Sequence, residues 1–98
     1  MSSPNVEEFV FDEINEEEIW GHRLSITQVD QILTSTHVIV PNKKGLTGLY
    51  LVIGRDSSGA CIATPIQPTA EPKIWRPVTA WPCNTGQLTQ LMKREGKK

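Results

Sequence analysis

Hydrophobic spacing along the chain switches between a helical and a strand period, and the switches mark out a succession of short elements. Phe9-Val10-Phe11 is a β-prone run that reads as an edge strand, and Asp12 is placed to cap a helix over residues 12–20. Ile14, Ile19 and Trp20 give that helix a thin apolar stripe, and Gly21 supplies its C-terminal stop. Ser25-Ile26-Thr27-Gln28 has the S-x-x-Q spacing of a capping box, in which serine hydroxyl and glutamine side chain each accept from the other's backbone N–H. Ile26, Val29, Ile32 and Leu33 follow at helical spacing, so a second helix is predicted over 25–34.

The period then drops to that of a strand. Thr36 to Val40 is β-branched and stops at Pro41, after which Pro41-Asn42-Lys43-Lys44-Gly45 has the turn chemistry of a basic loop. Leu49 to Gly54 and Ala60 to Thr64 flank the turn Asp56-Ser57-Ser58-Gly59 and are predicted to form a hairpin. Pro65, Pro68 and Pro72 suggest a loop or a frayed strand end, because proline cannot donate to a central ladder. Ile74 to Ala80 reads as a last strand whose outer side is unpaired or bulged at Pro77. Trp81-Pro82-Cys83 turns the chain, and Asn84 is an N-cap for a helix carrying Leu88, Leu91 and Met92 on one face, with Lys93 and Arg94 at its negative end. The expected architecture is α+β: a small antiparallel sheet of about four strands, two N-terminal helices and one C-terminal helix. A single domain over 9–94 is expected between flexible tails at 1–8 and 95–98. Trp20, Trp75 and Tyr50 are expected in its core.

At 98 residues there is room for one core. Cys61 and Cys83 lack the spacing of a zinc site and are too few for a secreted disulfide scaffold, so both are expected as reduced thiols, Cys61 buried in its strand. No metal-binding, nucleotide-binding or cofactor motif is present. Met1-Ser2-Ser3-Pro4 has neither the basic nor the apolar region of a secretory signal, no apolar run reaches membrane-spanning length, and a cytoplasmic location is expected. The formal net charge of −1 conceals an asymmetry. Seven acids and no base lie between residues 7 and 18; the other four acids face all ten Lys and Arg, which leaves the body at +6. Such a body can approach a polyanion with one face, while the acidic run is also what the solvated side of a helix looks like.

Phe9 to Asn15, Gly21-His22-Arg23-Leu24-Ser25, Ile53-Gly54-Arg55-Asp56 with Gly59, and Trp75 to Ala80 together resemble the BrnT toxins, part of the RelE-like superfamily of bacterial toxin–antitoxin ribonucleases. The order and spacing of these stretches, over roughly residues 9 to 91, carry the resemblance. It implies a compact antiparallel sheet with packed helices, mRNA cleavage that arrests translation, an RNA substrate that can be ribosome-associated, and a DNA-binding antitoxin that covers the active face. The chain departs from the family pattern at Trp81, where an arginine commonly closes the last strand, and at Gln87-Leu88, where a Glu-Arg pair usually begins the C-terminal helix.

Cleaving RNA through its 2′-hydroxyl needs a proton acceptor, positive charge against the phosphoryl oxygens and a proton donor for the leaving oxygen. On the resemblance, Arg76, Arg55 and His22 are the candidate catalytic residues. Arg76 can present a planar fork to phosphate from its strand, and Arg55 is either a second such cation or half of a surface ion pair. His22 either moves a proton or caps the carbonyls of helix one. Lys43 and Lys44 could steer RNA, and Trp81 could stack a base from its proline-flanked turn. No metal is expected at this site. The competing expectation is a catalytically inactive RelE-fold protein that acts as a protein-binding or regulatory module.

Overall fold

The computed structural model describes residues 4–42 and 48–96. Along the chain lie β1 (Glu8–Phe9), α1 (Glu13–Gly21), α2 (Ile26–Gln31) with a 3-10 turn (Ile32–Thr34), β2 (His37–Pro41), β3 (Tyr50–Arg55), β4 (Cys61–Pro68), β5 (Ile74–Pro77), β6 (Trp81–Pro82) and α3 (Thr85–Arg94). One sheet joins all the strands in the order β1-β5-β4-β3-β2, with β6 also paired to β4. It is larger than the four strands expected, and it is mixed: β1 runs parallel to β5, with Phe9 opposite Trp75, whereas the other pairings are antiparallel.

Both faces of the central strands are covered, which is why β3 and β4 read as nearly continuous apolar runs. Val52, Ile62, Ile66 and Trp75 face one way and pack with Ile19, Leu24, Val29 and Ile32 from α1, α2 and the segments that follow them. Leu51, Ile53 and Ala63 face the other way and pack under Leu91 of α3. Fully burying one such side chain stabilises by about 1.5–3 kcal/mol. Val6 belongs to the first cluster and the Glu7 N–H donates to the Lys73 carbonyl, so the packed fold reaches into the segment expected as a tail. At the other end, Glu95 is held by Arg55.

β4 runs straight through Pro65 to Pro68, where a loop or a frayed strand end was expected. The strand tolerates Pro65 because its neighbour is interrupted there: β5 pairs with Ile66 to Pro68, β6 with Ile62 and Ala63, and Val78 to Ala80 bulge between them. The Val78 N–H donates to the Pro65 carbonyl and the Thr64 hydroxyl to the Thr79 carbonyl, so the bulge stays tied to the strand. Gly54 is needed for a second close approach. A Cβ there would stand 2.8 Å from the Ile32 Cβ, so the 3-10 turn packs directly on the β3 backbone.

α1 is rotated away from the expected stripe. Its buried residues are Asn15 and Ile19, while Ile14 and Trp20 are 69% and 70% exposed. Polar geometry sets that rotation. The Asp12 side chain accepts from the Asn15 N–H at 2.9 Å, and the Asn15 Oδ1 accepts from the Asp12 N–H at 2.7 Å. The Asn15 Nδ2 then donates to the Pro77 carbonyl at 2.9 Å and the Val10 carbonyl at 3.2 Å, which locks the helix onto β5. Trp20 is therefore outside the core, in contrast to Trp75 and Tyr50, whose rings meet edge to face at 5.7 Å.

Gly21 is the last helical residue rather than the stop. The Arg23 N–H donates to the Trp20 carbonyl and the Leu24 N–H to the Ile19 carbonyl, a Schellman closure with Arg23 at φ 63° in the position glycine usually takes. The expected capping box of α2 forms between Ser25 and Gln28, and the expected N-cap Asn84 of α3 is completed into a box by Gln87.

Cys61 and Cys83 are bonded to each other, with Cα atoms 5.3 Å apart, and are not reduced thiols. The bridge joins the start of β4 to the loop before α3, and both cysteines are half-buried against the α3 cluster. Spacing could not reveal it, because the two meet only once β4 and β6 have paired. No helix among the described residues is long and apolar enough to cross a membrane.

Candidate functional site

The expected catalytic residues stand at separate places, each engaged by the fold. Arg76 leaves β5 opposite Gln67 and directs Nε and Nη2 at the two carboxylate oxygens of Asp12, at 2.8 and 3.2 Å. This bidentate pair, together with the Asn15 N–H, holds the Asp12 carboxyl down to about 2. Asp12 in turn raises Arg76 further above the ordinary arginine value. The guanidinium is thus committed to a helix cap rather than open toward a phosphate.

Arg55, at the end of β3, is engaged in the same way. Its Nε and Nη2 meet the Glu95 carboxylate at 2.8 and 3.1 Å, and its Nη1 donates to the Gly59 carbonyl at 2.9 Å. One side chain therefore ties the end of α3 to the β3–β4 turn. That turn is organised by Asp56: burial pushes its carboxyl up, but donors from Ser58, Gln28 and the Ala60 N–H outweigh burial and leave it below the usual range. Asp56 also links α2 to the hairpin, through the Gln28 Nε2 at 2.9 Å.

His22 and Trp81 are the two expected site residues that the fold brings together. Their rings lie at 6.4 Å, edge to face, although 59 positions separate them in the chain. His22 is the C-cap of α1, where its backbone N–H rather than its imidazole reaches the Ile19 carbonyl. Trp81 is half-buried against the α3 cluster beside the disulfide, and its Nε1–H points to the Gln87 Oε1 at 3.4 Å. Trp81 and Gln87 are thus in contact with each other, an indole N–H beside a carboxamide oxygen.

Lys43 and Lys44 lie outside the described residues. An open cleft of about 570 Å³ between the end of β2 and the start of α3 is lined by Pro41, Asn42, Asn84, Gln87 and Gln90 among others. Among the described residues no group of His, Cys, Asp or Glu is arranged to hold a metal.

Sequence reasoning missed the outer face of α1. Glu13, Glu16, Glu17 and Trp20 share one side of the helix at the i, i+3, i+4 and i+7 positions, and all four are exposed. A cleft of about 360 Å³ opens beside Trp20, between α1 and α2, lined by Glu16, Trp20, Leu24, Ser25, Ile26 and Thr27. The signal is a tryptophan within a run of glutamates, which apolar spacing alone assigns to the core stripe of the helix.

No protein-family model matches this chain, and comparison with curated proteins and with solved structures gives no match.

Proposed function

We propose that this chain is a catalytically silent protein-binding module on a RelE-like scaffold. The observation that carries this reading is the commitment of both candidate arginines: Arg76 to Asp12 and Arg55 to Glu95, each through two hydrogen bonds. A cation held in a bidentate pair must break that pair before it can stabilise charge on a scissile phosphate. The element order, with two helices on one face of the sheet and the C-terminal helix on the other, supports the scaffold. Trp81 supports the loss of activity, since the resemblance implies an arginine at that position and the indole there packs instead against the α3 cluster.

A second reading is a BrnT-like ribonuclease toxin, acting on mRNA and neutralised by a DNA-binding antitoxin. The contact between His22 and Trp81 favours it, since an exposed imidazole next to an aromatic face is a place where a nucleotide could stack and exchange a proton. This reading carries the cytoplasmic expectation with it, whereas the Cys61–Cys83 bridge suits an oxidising compartment.

Purified protein incubated with single-stranded RNA and with translating ribosomes separates the two. The module reading expects intact RNA and unaffected growth during induced expression. RNA cleavage that disappears in His22→Gln would overturn it.

A further inference from the structure

We propose that the cleft between α1 and α2 docks a basic segment of a partner protein, with a lysine or arginine side chain laid over the Trp20 indole and its charge against Glu16. The inference rests on the module reading only in taking the partner to be a protein. Three observations converge on this surface.

Trp20 is 70% exposed, although its helix is anchored by a full capping box and a Schellman closure. Its exposure is built in by the rotation that Asn15 imposes. The indole also borders a concavity rather than standing on a flat face, and Leu24 and Ile26 supply apolar lining beneath it. A long aliphatic stem that ends in a cation fits such a cleft better than a wholly apolar side chain, because the stem covers the lining while the head stays at the polar rim.

The charge around Trp20 selects the sign of the occupant. Among the described residues the ion pairs of the N-terminal acidic run are Glu7 with Lys73 and Asp12 with Arg76. Glu13, Glu16, Glu17 and Glu18 take part in none; Glu16 lines the cleft with the indole, and Glu13 and Glu17 lie on the same side of the helix. Uncompensated carboxylates next to a tryptophan face attract a cation twice over, through the carboxylate and through the ring quadrupole. The same field repels RNA and anionic lipid, so neither is the occupant of this face.

The test uses the full chain and a fluorescent peptide of alternating glycine and lysine or arginine, with an alternating glycine–glutamate peptide as control, followed by anisotropy. Saturable binding of the cationic peptide alone is expected, weakening steeply as salt rises from about 20 to 200 mM. Trp20→Ala and Glu16→Gln should each weaken it at least roughly tenfold with no change in the thermal midpoint, since both side chains are exposed. Glu18→Gln, on the opposite side of α1, should alter it less than about twofold. Absence of saturable binding overturns the proposal, and so does affinity that Trp20→Ala leaves unchanged. Sedimentation showing a dimer that Trp20→Ala dissolves overturns it too, because a second copy would then be the occupant. Failure of the module reading shows separately, as RNA cleavage in the same preparation.

Discussion

The Asp12 carboxylate serves two partners at once, capping α1 through the Asn15 N–H and receiving both Nε and Nη2 of Arg76 from β5. A residue that looks in isolation like a phosphate ligand is therefore part of the joint between the first helix and the sheet.

That joint makes stability acid-sensitive with a defined sign. Asp12 titrates at 3.8 when unperturbed and at about 2 in the fold, so its contribution is fully present above about pH 4 and is lost as pH falls through 2. Asp56, also held below its ordinary value, acts in the same direction. Thermal midpoints recorded between pH 5 and pH 2 should fall steeply for the wild type and less steeply for Arg76→Ala. Equal acid slopes would show that the ion pair does not form in solution.

The Cys61–Cys83 bridge should be present in protein isolated without reductant, with no thiol open to alkylation in denaturant. It spans 22 positions, and closing a loop of that size stabilises by about 2–4 kcal/mol in the chain-entropy picture. Cys61→Ser with Cys83→Ser should lower the denaturation midpoint accordingly and loosen α3 first, which hydrogen exchange at Leu88 to Met92 would read. Two alkylated thiols in the native protein would refute the bridge.

Arg23 occupies a left-handed conformation that costs an L-residue about 1–2 kcal/mol, and its side chain is exposed. Arg23→Gly should therefore stabilise the chain by about 0.5–1 kcal/mol after the extra unfolded-state entropy of glycine is subtracted. Urea titration measures this directly. A destabilised glycine variant would mean that the arginine side chain makes a contact outweighing the strain.

Asn15 and Ile14 are neighbours with opposite expected sensitivities. Asn15→Ala removes half the capping box and leaves the Pro77 and Val10 carbonyls without their donor, a loss of about 2–3 kcal/mol. Ile14→Ala should stay within about 0.5 kcal/mol, because that side chain is exposed. The reverse ranking would place the apolar stripe, and not Asn15, against the sheet.

The sequence by itself determined the order of the helices and of the first five strands and the ends of most helices, whereas β6 forms where a turn was expected. Asp12, Ser25 and Asn84 are local chemistry, complete within one turn, so all three N-caps and the Ser25–Gln28 capping box could be read directly, and the structure adds the reciprocal bonds of Asn15 and Gln87. The two apolar runs around Asp56 specify a hairpin for the same reason, since strands joined by a short turn need no distant partner to find their register. Tertiary structure decided whatever depends on residues far apart in the chain. The rotation of α1 follows from Asn15 meeting Pro77, 62 positions away, and no count of apolar residues in the helix could have placed Trp20 outside. The continuation of β4 through Pro65 depends on a bulge in a neighbouring strand. The partners of the candidate arginines were hidden for the same physical reason: charged side chains are satisfied by whichever opposite charge the fold delivers, and here it delivers Asp12 to Arg76 and Glu95 to Arg55. Local sequence encodes hydrogen bonds that close within a turn, while the identity of a distant partner exists only once the sheet has set the distances.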